Sequence, residues 1–250
     1  AVYDSVGRDT LAGSIDCLAP LGLLVSYGVA SGDTPPIDLR MLMAKGSLIV
    51  TRPSFAHYMG ETGRYREADS LFAILGESQV TAGEGLKWLS ISLRTQGRVR
   101  EALAPAERLR ATMKAPRRDA VPYTGLFEAQ VYFDQGNFRR AAAIFDSISR
   151  APLYSGIPSQ IARNLVWTQT LRATALAAAG DTASLAGLAD SVEAWGRGSS
   201  YGRDRRLYHH IRGLLLTARG DLEDAVREYR QATFSTTTGY TRTNLEIGRV

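Results

Sequence analysis

The chain has 250 residues, room for one large domain or two smaller ones, and its apolar fraction of 44% supports a packed core rather than disorder. No window of about 18 uninterrupted apolar residues occurs, which argues against a membrane span, and a lone cysteine, Cys17, excludes an internal disulfide framework and any multi-cysteine zinc site. The net charge of +5 is carried by scattered arginines, with Lys only at positions 45, 87 and 114 and small knots at Arg117-Arg118 and at Arg203, Arg205 and Arg206; a nucleic-acid footprint would be a denser stripe with aromatics among the bases.

The opening AVYDSVGRD has none of the basic-then-apolar pattern of a signal peptide. It lacks an initiating Met and begins inside a strand-like run, so the chain reads as a piece of a longer frame. AVYDSVG is a short strand ending at Gly7. DTLAGSIDCLAP follows as a helix, with Leu11, Ile15 and Leu18 on one face, Asp9 and Thr10 as N-cap candidates and Pro20 near its end. GLLVSYG is the next strand, and its continuous apolar run predicts burial on both faces. GDTPPIDLRMLMAKG supplies a loop and a short helix, and GSLIVTRP a third strand stopped by Pro53. The alternation predicts a parallel sheet with right-handed crossovers. The stretch LLVSYGVASG, a strand running into a loop of small residues, has the form of the crevice where open α/β sheets hold a nucleotide cofactor. No glycine-rich phosphate loop occurs anywhere in the sequence.

Between about residues 58 and 80 the grammar changes, and helical periodicity takes over. Five segments share one pattern: GRYREADSLF from Gly63, GRVREALAPA from Gly97, GNFRRAAAIF from Gly136, GDTASLAGLA from Gly180 and GDLEDAVREY from Gly220. Five places after each glycine stands a small or apolar residue, and nine places after it an apolar or aromatic one often follows. A further helix precedes most copies: LKWLSISLRTQ, GLFEAQVYFDQ, LVWTQTLRATALAAA and LYHHIRGLLLTAR.

This pattern resembles the second-helix signature of the tetratricopeptide repeat family, and Gly220 to Tyr229 is its best copy. In such a hairpin the glycine permits the left-handed backbone that ends the first helix. Ala68, Ala102, Ala141 or Ala225 lets the two helices approach, and Phe72, Phe145 or Tyr229 fills the space between hairpins. Leu185 replaces the small residue in the fourth copy, and three of the glycine spacings are longer than the family's usual repeat. YTRTNLEIGRV reads as the first helix of another hairpin, cut short.

Residues 1 to about 58, YDSVGRDTLAGSIDCLAPLGLLVSYGVASG through KGSLIVTRPS, resemble the zinc-independent quinone oxidoreductases of the medium-chain dehydrogenase superfamily. The likeness extends as far as about residue 78 if ADSLFAILG is included, so Gly63–Phe72 has two claimants. The resemblance implies the second half of an NADPH-binding Rossmann domain. Asp4, Ser5 and Val6 would then end one strand, and Tyr27, Gly28, Val29 and Ala30 the next, against the nicotinamide side. Val50, Thr51 and Arg52 would lie on the last strand, near the nicotinamide carboxamide and a dimer contact. Val29 stands where the family commonly has Asn. The glycine-rich loop that holds the pyrophosphate, the substrate domain and the basic residues that read the 2′-phosphate are missing from this sequence. The strand over Val2–Ser5 would have an open edge, expected to be covered by the helical part, paired in a dimer, or poorly ordered.

Other residues weigh towards structure. His209 and His210 diverge by about 100° on a helix and cannot share one ion, so an interface or surface pair is expected. Cys17 is expected to be a buried, inert thiol. Trp88 and Trp167 fall in first helices of hairpins and are expected in the core, while Trp195 lies apart from them. FSTTTGYT, 234–241, reads as a polar loop between hairpins rather than a modification site. Asp4 lacks a partner base and is expected to act structurally at a strand end.

The expected architecture is mixed: residues 1–60 as a small incomplete α/β, half-Rossmann segment of parallel strands, with a boundary between 58 and 80, then residues 61–250 as an all-α tetratricopeptide-like hairpin array whose last repeat is truncated. The expected function is a cytoplasmic protein-interaction scaffold. A protein or peptide would lie on its concave face, with no metal, nucleic acid or membrane partner, and the oxidoreductase-like segment would be inactive in this chain. Two alternatives stand beside it. One is an NADPH-dependent quinone oxidoreductase, a homodimer through its last N-terminal strand, whose remaining parts lie elsewhere. The other is the sensor or scaffold region of a signalling or transcription regulator.

Overall fold

A computed structural model describes residues 1–28, 31–32, 34–52, 63–77, 82–112, 124–150, 157–233 and 242–250. The chain divides into two compact units, Ala1–Ala68 and Asp69–Val250.

The first unit holds three parallel strands, β1 (Val2–Asp4), β2 (Leu23–Ser26) and β3 (Ile49–Thr51), in the order β1-β2-β3. Their crossovers carry two short helices, α1 (Leu11–Asp16) and α2 (Leu39–Ala44). Strands added in one direction through right-handed crossovers place both helices on the same face. Leu11 and Ile15 of α1 accordingly meet Leu24 and Leu48, with Leu18, Met41, Leu42 and Val50 packed around them. The other face is open among the described residues of this unit: Tyr3 is 70% and Ile49 55% exposed. Burial along β2 therefore alternates, with Leu24 and Ser26 buried and Leu23 and Val25 half-buried, which corrects the expectation of burial on both faces. Among the described residues of this unit one layer of helices covers the sheet, and an apolar run does not itself supply a second. Among the described residues β1 pairs with β2 alone.

Two local expectations are also corrected. Thr10 takes the N-cap position of α1, but its hydroxyl donates to the Asp4 carboxylate and makes no cap. Helix α1 stops at Asp16, before Pro20 is reached, so Cys17 falls beyond the Leu11–Ile15 face and is exposed rather than buried.

The second unit is an array of helical hairpins. Its pairs are α4 (Ala82–Thr95) with α5 (Leu103–Thr112), α6 (Thr124–Asp134) with α7 (Phe138–Arg150), α8 (Pro158–Ala178) with α9 (Leu185–Gly198), and α10 (Leu207–Arg219) with α11 (Leu222–Ala232). A helix α3 (Tyr65–Glu77) precedes them and α12 (Arg242–Ile247) follows. Gly97, Gly136, Gly180 and Gly220 turn the four hairpins with φ of 73, 78, 76 and 85°. At each turn the amide after the glycine reaches back to the carbonyl five residues earlier. Arg98 donates to Leu93 at 2.9 Å, Asn137 to Tyr132 at 2.8 Å, Asp181 to Leu176 at 2.9 Å and Asp221 to Leu216 at 3.0 Å. This closure requires a left-handed residue, which glycine adopts without a Cβ clash.

The repeat positions read from the sequence are all buried. Ala102, Ala141, Leu185 and Ala225 stand five places after the turning glycines, and Ala106, Phe145, Ala189 and Tyr229 nine places after them. Their clusters run from hairpin to hairpin: Leu103 packs in both of the first two, and Leu176 joins the second to the third.

Helix α3 also follows a left-handed glycine, Gly63, with φ of 62°. From Asp69 onward it packs on α4 in the second unit. A Cβ at Gly85 of α4 would lie 2.4 Å from the Gly76 nitrogen. The Asp69 carboxylate accepts from Ser92 Oγ at 2.5 Å, Gln96 Nε2 at 2.9 Å and Arg98 at 2.9 Å. The two compact units meet inside the contested stretch, between Ala68 and Asp69.

The tryptophans depart from expectation. Trp88 is half-buried, with Lys87 over its ring at 5.0 Å and its indole N–H donating to Glu84 at 3.1 Å, so it lies near the surface rather than in the core. Trp167 is half-buried too, packed against the second cluster with the Arg203 guanidinium 4.2 Å from its ring centroid. Trp195 packs against the third.

Candidate functional site

Two surfaces are candidates. The first is the carboxyl edge of the sheet. Asp4 is in register with Ser26, and Val25 with Thr51, so the three strand ends are level. That alignment brings Ser5 and Val6, Tyr27 and Gly28, and Val50, Thr51 and Arg52 to one edge. Ser5, Val6, Tyr27, Thr51 and Arg52 are exposed, and Val50 is half-buried against the core. Val29 and Ala30 lie outside the described residues.

Asp4 organises this edge. Its buried carboxylate accepts from the Val6 and Gly7 amides at 2.9 and 3.0 Å and from the hydroxyls of Thr10 and Ser14 at 2.9 Å each. These donors, led by the Gly7 amide, hold its pKa below the usual carboxylate value. An ionised, fully engaged carboxylate at a strand end is a brace, as expected from the sequence. Beside it the Gly28 amide donates to the Asp4 carbonyl at 3.3 Å, and a Cβ at Gly28 would lie 1.7 Å from the Ser5 carbonyl oxygen. The backbone after β2 therefore lies directly on the backbone after β1. Gly28→Ala should separate these strand ends, at a cost of about 3 kcal/mol. Deuterium exchange of peptides spanning residues 1–28 checks this: faster exchange is expected for Gly28→Ala and unchanged exchange for Gly13→Ala, whose Cβ would meet nothing within 4 Å.

The edge fits one end of a dinucleotide better than the other. The exposed side chains of Ser5, Tyr27 and Thr51 stand level, and among the described residues the buried Ser26 hydroxyl has no hydrogen-bond partner. The phosphates have no counterpart here. The donors around the start of α1 are engaged by Asp4, and α2 is capped by Asp38, whose carboxylate accepts from the Arg40 amide at 2.9 Å. A carboxylate at each helix start repels a pyrophosphate where a helix N-terminus would otherwise attract it.

The second candidate is the face of the array formed by the first helices. Arg94 of α4 donates to Gln130 and Asp134 of α6 at 2.6 and 2.7 Å. Thr174 of α8 meets His210 Nε2 of α10 at 3.1 Å, and Thr243 of α12 meets His210 Nδ1 at 3.1 Å. From the start of α12, Arg242 lays its guanidinium 4.2 Å from the Phe133 ring centroid, and it lies 3.9 Å from Asp134. Four of the five first helices, α6, α8, α10 and α12, thus converge around Arg242 and His210.

The two histidines diverge as their spacing requires. His209 pairs with Glu228 of α11 at 2.7 Å, and His210 is fully buried against α8 and α12, an interface position of the kind the sequence allowed. Burial, with Arg242 nearby, lowers the His210 pKa to about 3, so the ring is neutral. Among the described residues no group of His, Cys, Asp and Glu could hold a metal ion, and no helix is long and apolar enough to cross a membrane. Of the arginine knots, Arg203 is held by Asp204 at 2.7 Å, and Arg117 and Arg118 lie outside the described residues, as does 234–241. Arg94, Phe133, Asp134 and Arg242 carried no signal in the sequence, because the repeat signature specifies core positions and leaves the first-helix surface free.

Comparisons with known proteins find two likenesses. Residues 122–147 and 207–231, which cover α6–α7 and α10–α11, match the tetratricopeptide repeat family. A quinone oxidoreductase of Pseudomonas aeruginosa is 46% identical over 80 residues, 32% of this chain and 25% of that protein. A quinone oxidoreductase of Salmonella typhimurium is 40% identical over 106 residues, 41% of this chain and 32% of that protein. A 2-haloacrylate reductase of a Burkholderia species is 48% identical over 67 residues, 26% of this chain and 20% of that protein. The chain spans between a fifth and a third of the length of these relatives. No solved structure matches it significantly. Both resemblances read from the sequence are thereby supported: tetratricopeptide repeats in the helical part, and partial similarity to quinone oxidoreductases.

Proposed function

We propose that this chain works as a cytoplasmic protein-interaction scaffold. Its hairpin array, residues 61–250, takes a peptide or partner domain on the face of its first helices. Residues 1–60 are an oxidoreductase-like segment fused to the array, inactive as a reductase in this chain. The observation that carries the reading is the four-fold recurrence of one hairpin closure, a left-handed glycine with the same buried registers after it. Stacked hairpins of this kind present their first helices as one continuous surface. Selection of peptides against the full chain, followed by deuterium exchange of the bound form, tests this. Protection is expected in α4, α6, α8 and α10; protection confined to second helices or to residues 1–52 would sink it.

A second reading is favoured by the identity of 40–48% to reductases. In it, Ser5, Val6, Tyr27, Gly28, Val29, Ala30, Val50, Thr51 and Arg52 line the nicotinamide end of an NADPH site completed by parts outside this chain. The outer edge of β3 would join a second copy. The carboxylates at the helix starts weigh against phosphate binding by this unit itself. Fluorescence titration with NADPH separates the readings: saturation supports the reductase, and none at millimolar cofactor supports the scaffold.

A further inference from the structure

We propose that Phe133 and Asp134 form a guanidinium-binding cradle on the first-helix face, and that Arg242 occupies it as a built-in competitor of the partner. The proposal rests on the scaffold reading and adds the chemistry of the partner: an arginine-bearing peptide segment.

Contacts other than those with Arg242 hold both members of the cradle. Phe133 is anchored edge-on to Phe138 across the hairpin turn, with ring centroids 5.1 Å apart, and offers its other surroundings to Arg242. Asp134, 23% exposed, is fixed by Arg94 at 2.7 Å. Arg94 is in turn bonded to Gln130. An aromatic ring beside a carboxylate is a complementary pair for a planar cation, which stacks on the ring while its charge faces the carboxylate. Arg242 uses both, and its side chain remains 25% exposed. A partner arginine therefore has a path to the same place.

The occupant comes from a short element. Helix α12 has six residues, and its polar hold on the first helices includes Arg242 in the cradle and Thr243 on His210. Ile247 and Val250 pack from its far end on the core of the last two hairpins. Its first turn can lift while that end stays docked, because the two anchorages are at opposite ends of the element. An incoming segment with an arginine followed by a hydroxyl residue would repeat both polar contacts.

Fluorescence anisotropy of the labelled peptide RTNLEIGRV, the sequence of residues 242–250, added to the full chain, tests this. Arg242→Ala should bind the peptide about tenfold more tightly than the unaltered chain, the effect of removing one cation–aromatic contact with its ion pair. The double variant Arg242→Ala with Asp134→Ala should lose that gain, as should a peptide whose first residue is glutamine. Arg242→Gln takes the place of Arg242→Ala if the latter loses helix content. Equal binding to the unaltered chain and the variant, or no binding to either variant, overturns the proposal. If peptides selected on the unaltered chain still protect the first helices in that case, the scaffold reading stands and only the cradle falls.

Discussion

Tyr229→Ala should destabilise the helical array by about 3–5 kcal/mol, the cost of emptying a large buried aromatic site. For a unit of this size that is a fall in Tm on the order of 10 °C. Tyr229 is fully buried, among the largest side chains to be so, and packs in a cluster with Val166 of α8, Leu207 and Ile211 of α10 and Ala225 of its own helix. Its ring fills the space left by Gly213: a Cβ there would stand 2.4 Å from Tyr229 Cε1. Its hydroxyl meets Thr217 Oγ1 at 3.0 Å, and burial pushes the phenol up to about 12. The ring, not the hydroxyl, carries the effect. Tyr229→Phe should cost only about 1 kcal/mol, since Thr217 keeps its bond to the Gly213 carbonyl at 2.9 Å. Gly213→Ala should cost roughly 1–3 kcal/mol from the opposite direction, by overpacking. Urea midpoints of the three variants measure the series. A loss below 1 kcal/mol for Tyr229→Ala would mean that the aromatic position of the repeat does not hold the hairpins together.

Tyr229 also shows what the sequence made legible. It stands nine places after Gly220, and that offset marked Phe145 and, in smaller form, Ala106 and Ala189 as buried positions in other hairpins. Such positions are readable because a left-handed turn demands glycine, and the turn fixes the phase of the helix behind it. The parallel order of β1, β2 and β3 was readable for a similar reason: right-handed crossovers leave few alternatives. Burial in the small sheet was not. Cys17 and the outward side of β2 were expected inside, because periodicity identifies an apolar run but does not say how many layers pack on it. Trp88 misled in the same way, its indole lying along the surface with Lys87 over it.

The candidate surfaces divide by the same criterion. Ser5, Tyr27, Thr51 and their neighbours were named from resemblance, and the strand register places those strand ends level. The contact of Arg242 with Phe133 and Asp134 joins α12 to α6 through residues far apart in the chain. It depends on how tightly the hairpins coil, which is set by helix lengths and linkers that no single repeat reveals. The sequence left His210 open between interface and surface for this reason: the elements that bury it, α8 and α12, come from other hairpins.

Acid should loosen the array through His210. The ring is neutral and fully buried, its two nitrogens facing Thr174 of α8 and Thr243 of α12, with Tyr229 of α11 5.7 Å away and Arg242 adding a repelling positive charge. Its pKa of about 3 in the fold lies below the ordinary 6.5, so between those values the unfolded chain binds a proton that the folded chain refuses. The stabilisation from a neutral His210 is therefore fully present above about pH 6.5 and is lost progressively as pH falls towards 3. At pH 5 the loss is about 2 kcal/mol, from roughly 1.4 kcal/mol per pH unit. His210→Gln supplies the control: it keeps a polar group between the two threonines and removes the titration, so it should be less stable at pH 7.5 but fall less on acidification. His209 and Glu228 are present in both proteins and cancel in the difference. Urea midpoints at pH 7.5 and 5.0 decide the matter. Parallel losses in the two proteins would show that His210 does not refuse its proton in the folded chain, whereas a smaller loss in His210→Gln places the acid sensitivity at the point where α8, α10 and α12 meet.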